Sequence, residues 1–223
     1  VFADLDPATM NSRAALATLS VTRKSDLAAL QKKTPPLGGL NTVPLSELSH
    51  IFASPGGLYE PDADRKDYWR YARALWAAGV RPGHVVHNTF SYHLTPAAML
   101  VESGCRAIGC PVIPGGVGNT EIQIQLAADL KPDFFIGTPS FLRIILTMAK
   151  ELGHDLSNLK HGLVGAEALP PSLRQELADL GVDVLQGYGT ADLGSVAYES
   201  KALDGMIIDE GVIVEIVEPG SGA

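Results

Sequence analysis

Residues 84–104 read HVVHNTFSYHLTPAAMLVESG. The apolar run HVVHNTF (84–90) reads as a strand, and SYHLTP as the turn-prone exit from it. Thr95 is placed to cap a helix whose first residue is Pro96, a position where the missing N–H would be unpaired anyway. That helix runs PAAMLVES and stops at Gly104. Working upstream, Tyr68, Ala72, Leu75 and Trp76 fall at helical spacing and predict a helix over 64–78, ended by Gly79. Downstream, RAIGCPVI (106–113) is a strand, and Asn119 caps TEIQIQLAADL. DFFIG (133–137) is a strand, Thr138-Pro139 starts a helix that Gly153 closes, and LKHGLVG (159–165) is again a strand. PPSLRQELADLG (170–181) and VDVLQG (182–187) complete the alternation. Beyond Asp192 only strand-like runs remain: SVAYES, GMIID and GVIVEIVEP. Strands alternating with helices predict an α/β fold, a mostly parallel sheet flanked by helices and ending in antiparallel strands.

Sheets of this kind bind ligands at the carboxyl ends of their strands. The loops there are SYHLTP, IPGGVGNT, GTPSF, VGAEALP and GYGTAD. In GYGTAD, Tyr188 is able to stack on a purine, Thr190 to bond a phosphate or carboxylate, and Asp192 to hold Mg²⁺ through hard oxygens. A tight turn with an exposed acid explains the same residues. In VGAEAL, Gly165 and Ala166 leave room for a flat ring. Glu167 either serves the site or favours the N-terminus of the helix that follows it. Phe141 is placed to wall a pocket, PGGVGNT is an anion cradle or a plain turn, and His93 beside Tyr92 lines a pocket or stands by.

The chain has 223 residues and a net charge of −8, which opposes nucleic-acid binding. No apolar run approaches the ~20 residues that span a bilayer. Cys105 and Cys110 alone cannot complete a zinc site and are expected as buried free thiols in a reducing, cytoplasmic compartment. No Gly-x-Ser-x-Gly, HExxH or GxxxxGK[ST] occurs, so hydrolase, zincin and P-loop readings lack their motifs. IFASPGG (51–57) ends an apolar run in a glycine turn, able to bring backbone N–H groups to a phosphate or simply to reverse the chain.

Taken in order, KSDL (24–27), IFASPGG, DYWRYARALWAAGV (67–80), GTPSFL (137–142), GAEALPPSLR (165–174), GYGTADLGSVAYES (187–200) and GMIIDEGVIVEIVEPGSG resemble the phenylacetate–CoA ligase family of adenylate-forming enzymes. The resemblance implies that ATP and a small, aromatic carboxylate give an acyl-adenylate, from which coenzyme A takes the acyl group. By position it implies adenine against Gly165, Ala166, Glu167, Tyr188 and Gly189, with phosphate donors at Ser54, Gly56 and Gly57. It places Thr190 beside the α-phosphate, makes Asp192 the Mg²⁺ ligand, and lines the aryl site with Tyr92, His93, Thr95, Phe141 and Gly187. The family's phosphate loop is usually Ser-Ser-Gly-Thr-Thr-Gly-Lys-Pro; here it reads SPGGLYEP (54–61), without the lysine and with Glu60 near its place. A carboxylate about 5 Å from one phosphate charge costs roughly 3 kcal/mol at an effective dielectric near 20. A non-catalytic nucleotide- or acyl-adenylate-binding module is therefore the alternative, with a generic α/β protein behind it. Ser200 stands where many relatives have a zinc-binding Cys, so no zinc is expected. The sequence is expected to be the N-terminal portion of a longer chain: an entry segment (1–60), a βαβ lobe (61–192) and the first antiparallel strands (193–223). A lid domain is expected beyond it, and a homodimer is left open.

Overall fold

The computed structural model describes residues 5–218. Helices α1 (Arg13–Leu16) and α2 (Lys24–Lys33) lead into a separate antiparallel hairpin of β1 (Leu48–Ala53) and β2 (Tyr59–Ala63). Then follow α3 (Ala72–Ala78), β3 (Val86–Asn88), α4 (Ala97–Ile108), β4 (Val112–Pro114), α5 (Thr120–Leu130) and β5 (Phe134–Gly137). The described chain continues through α6 (Pro139–Leu152), β6 (His161–Val164), α7 (Pro171–Asp179), β7 (Asp183–Thr190), β8 (Gly194–Glu199) and β9 (Met206–Ile208). The main sheet has the order β4-β3-β5-β6-β7-β8-β9; the pairs from β4 to β7 are parallel, and β7-β8-β9 are antiparallel.

The chain steps from β3 outward to β4, then back past β3 to β5, β6 and β7. Right-handed crossovers force the helices of the two directions onto opposite faces. So α3 and α4 pack on one face, through Leu75, Val101 and Cys105, and α5, α6 and α7 on the other, through Ile124, Ile145 and Leu177. Strand β5 serves both: Phe134 and Ile136 join the first core and Phe135 the second. All three are at most 1% exposed, and each such side chain contributes about 1.5–3 kcal/mol by leaving water. The reversal of strand order falls between β3 and β5, the crevice where such sheets take ligands.

Several expected boundaries move. The helix expected over 64–78 begins only at Ala72, because Asp67 (φ 49°) and Arg70 (φ 59°) take left-handed conformations that no helix contains. Its buried face is Tyr71, Ala74, Leu75 and Ala78, and Trp76 is half exposed. Gly104 does not stop α4. A Cβ there would lie 2.9 Å from Leu75 Cδ1 and 3.0 Å from Ala72 N, so the glycine lets α3 and α4 touch. The helix ends at left-handed Gly109, which shortens the following strand to Val112–Pro114. The strand expected over 84–90 likewise shrinks to three residues. Thr95 is no cap: its hydroxyl faces Ser91 O at 3.4 Å, and α4 starts after Pro96 without a side-chain bond. Asn119 holds the N-cap position of α5, also without one. GVIVEIVEP forms no strand within the described residues 211–218; Pro219 lies outside them. Cys105 and Cys110 are free and buried, and burial pushes the Cys105 thiol up to about 12.

Candidate active site

Two adjoining cavities, of about 270 and 450 Å³, lie at the carboxyl ends of β3, β5, β6 and β7 and share Phe90, Thr95 and Ala97. The smaller is apolar. Tyr71, Phe90 and Leu100 face Gly165-Ala166 and the run Gly187–Ala191, with Pro55 of the hairpin turn at its edge. Its walls depend on missing side chains: a Cβ on Gly165 would meet Gly187 O at 2.9 Å, and one on Gly189 would meet Gly194 O at 2.6 Å. The larger cavity adds Val117, Gly118, Thr138, Ser140, Phe141, Ile144 and Glu167. A groove of about 770 Å³ lies elsewhere, at the starts of β6 and β7. Its Arg174 and Glu199 bind each other at 2.7 and 2.8 Å, a seam between α7 and β8 rather than a free charged site.

Strand β7 runs on through Gly187-Tyr188-Gly189-Thr190 because it pairs with β8, with a bulge at Tyr188/Gly189. Tyr188 therefore stands on a strand, 58% exposed, with its ring free for a ligand. Thr190 Oγ1 accepts the Leu193 N–H at 3.1 Å and closes the turn that carries Asp192. Glu167 follows left-handed Ala166 (φ 64°), and its carboxylate accepts the Ser140 N–H at 3.4 Å. That places the acid at the start of α6, not at the helix that follows it in sequence. Thr138 accepts the Phe141 N–H at 3.3 Å and caps the same end.

Tyr92 and His93 line neither cavity. The Tyr92 hydroxyl donates to Glu102 at 2.8 Å and accepts from Asn88 at 3.0 Å; burial, then Glu102, raises its pKa well above the usual range. His93 is exposed. Ser54 is buried, and its hydroxyl donates to Leu58 O at 3.2 Å across the turn, which Gly57 completes with φ 72°. The turn is thus an ordinary hairpin reversal placed at the mouth of the cleft.

A lysine from another element lies at that turn. Lys24, the first residue of α2, donates to Asp192 Oδ1 at 2.8 Å, and its ammonium lies 3.7 Å from Glu60. Its Cε is 3.4 Å from where a Cβ on Gly56 would be, so the side chain lies across the turn. The hydrogen bond to Asp192 is the main cause of its raised pKa, opposed by burial and helped by the charges of Asp192 and Glu60. The ammonium is therefore kept through neutral pH. KSDL does not by itself reveal this contact, because Lys24 and Asp192 are 168 residues apart. Nor does the sequence by itself mark Tyr71 and Phe90 as cavity walls.

Among the described residues no group of three or more His, Cys, Asp and Glu is placed to hold a metal. Mg²⁺ carried by a nucleotide needs only one or two carboxylates besides the phosphates. Asp192, 44% exposed at the cleft, fits that need once Lys24 turns from it.

A parallel sheet with glycine-lined strand ends offers a ligand cleft at its carboxyl edge, beside one exposed aromatic ring and a lysine–carboxylate pair. The AMP-binding enzyme family matches residues 110–220. The chain belongs to these adenylate-forming enzymes. Within them it is similar to phenylacetate-coenzyme A ligases. It is 32% identical to that of Aromatoleum evansii over 97% of this chain and 51% of that protein, and 33% identical to that of Escherichia coli K12 over 81% and 45%. The chain spans about half the length of the curated relatives it matches. Its fold matches a crystal structure of 2-hydroxyisobutyryl-CoA ligase in complex with 2-HIB-AMP and CoA, with TM-score 0.83 and 23% identity, over 92% of this chain and 48% of that one. Among the described residues no helix is long and apolar enough to cross a membrane.

Proposed function

We propose that the protein activates a small, aromatic carboxylate with ATP as an acyl-adenylate and passes the acyl group to coenzyme A. The carrying observation is the meeting of Gly165-Ala166, Gly187–Ala191 and Pro55 around one apolar cavity, with Lys24 bonded to Asp192, the residue that follows Ala191. A carboxylate oxygen attacks the α-phosphorus and pyrophosphate leaves; the thiol then attacks the acyl carbon and AMP leaves. Two anions must approach each other in the first step, and charge stabilisation dominates its barrier. Lys24 supplies that charge in place of the loop lysine, and Thr190-Ala191 hold the reacting carboxylate and phosphate. Mg²⁺, bound by Asp192, would neutralise phosphate charge further. Tyr71, Phe90 and Leu100 exclude water from the ring, and Phe141 and Ile144 face the distal part of the acyl group in the second cavity. Adenine lies on the Gly165–Glu167 backbone against Tyr188.

Stacking on an aromatic face is worth about 0.5–1.5 kcal/mol. Tyr188→Ala is therefore expected to weaken ATP binding about 3- to 10-fold; an unchanged dissociation constant in titration calorimetry removes the ring from the adenine site.

A second reading is a binding module that holds the acyl-adenylate without turnover. It is favoured by the committed Ser54 hydroxyl and by Glu60, an acid beside the turn whose buried Oε1 has no hydrogen bond and faces only the Lys24 ammonium at 3.7 Å. Carboxylate-dependent ATP–pyrophosphate exchange separates the two. Exchange with aryl acids supports the ligase, nucleotide binding without exchange across a broad acid panel supports the module, and neither activity sinks both.

A further inference from the structure

The glycine segment after β4, Gly115–Gly118, is held by a buried amide. Gln123 on α5, 2% exposed, donates through Nε2 to Gly116 O at 3.0 Å and Gly118 O at 2.7 Å. Its oxygen therefore faces His87 Nε2 at 2.9 Å, which must carry the proton, and His87 is fully buried on β3 with Nδ1 unpartnered. Gly115 fits beneath the pair only without a side chain: a Cβ would collide with Gln123 Oε1 and lie 2.8 Å from His87 Nε2. Gly116 in turn donates to Asn88 O at 3.1 Å, and the next two residues, Val117 and Gly118, wall the second cavity.

We propose that His87 and Gln123 are positioning residues which fix the Gly115–Gly118 wall and thereby set how the acyl group is accepted. The substrate part of this rests on the ligase reading above. Losing one such hydrogen bond frees the amide by about a factor of 10. His87→Leu removes the donor to Gln123; His87→Gln restores one.

In the folded protein, His87→Leu should speed hydrogen exchange at the Gly116 amide about 10-fold. It should raise the carboxylate KM about 10-fold while the KM for ATP changes less than about 2-fold, and His87→Gln should recover both readouts. Unchanged Gly116 exchange, both KM values rising together, or no rescue by His87→Gln overturns the proposal. Should His87→Leu fail to fold, Gly118→Ala strains the same wall at φ 75°, and its added Cβ would meet nothing within 4 Å, so it leaves the His87 and Gln123 side chains unaltered. It should raise the carboxylate KM alone, and an unchanged value overturns the proposal. If the wild-type protein activates no acid, the ligase reading falls, and Gly116 exchange alone decides the positioning claim: acceleration with rescue upholds it, and no acceleration overturns it.

Discussion

Lys24→Ala is expected to weaken ATP binding about 10- to 100-fold and to lower stability by only about 1 kcal/mol. A unit charge about 4 Å from a phosphate is worth about 4 kcal/mol at an effective dielectric near 20. Lys24 is 46% exposed, so solvent screening leaves about 1–3 kcal/mol of that. The substitution also leaves Asp192 and Glu60 facing the phosphates unopposed. Adding Glu60→Gln should then recover part of the loss, which a lysine acting only in folding would not allow. Titration calorimetry of ATP into the wild type, the single and the double variant, with a thermal melt of each, reads both effects. Full ATP affinity in Lys24→Ala would remove the lysine from the site.

Arg70→Ala should produce the largest stability loss, about 3–5 kcal/mol, the usual cost of stranding a buried charge. Arg70 Nε donates to Asp209 Oδ1 at 2.9 Å, and Nη2 donates to the carbonyls of Leu193 and Ser195 at 2.6 and 3.0 Å. Asp209 is 1% exposed and its Oδ2 has no hydrogen-bond partner, so without the guanidinium its carboxylate keeps the Gly211 N–H, 2.9 Å from Oδ1, but no opposite charge. Both carbonyls follow Asp192 directly, at the end of its turn and the start of β8. The same variant should therefore bind ATP more weakly even at temperatures where it stays folded. Urea unfolding measures the first effect; a loss below about 1 kcal/mol would mean that Asp209 is paired or hydrated in some other way. Arg70→Met with Asp209→Leu should regain most of the stability, because it removes both charges together.

Much of the fold could be read locally. Thr138-Pro139 and Gly153 mark both ends of α6 as observed, and the limits of α5 match TEIQIQLAADL. What failed depended on distant partners. Gly104 carries the signature of a helix stop, and only the nearness of Leu75 and Ala72 shows that it is a contact point. Asp67 and Arg70 interrupt an otherwise helical pattern because the Trp69–Arg70 segment pins residues 193–195: Trp69 O accepts the Ser195 N–H at 3.0 Å. The alternation in GVIVEIVE has strand propensity, but propensity needs a neighbour to pair with. Among the described residues, 211–217 join no strand ladder, and Ile216 is 95% exposed. At the site, the glycines of the strand ends were legible because only glycine allows such close approach. Lys24 was not, since nothing in KSDL points to an acid 168 residues later.

The most direct measurement is calorimetric titration of the protein with a sulfamoyl mimic of an aryl-acyl adenylate. The cleft built by Gly165-Ala166, Tyr188–Ala191 and Lys24 predicts one site, at micromolar affinity or tighter, from which AMP competes the mimic away. No saturable binding at millimolar mimic by folded protein would contradict it.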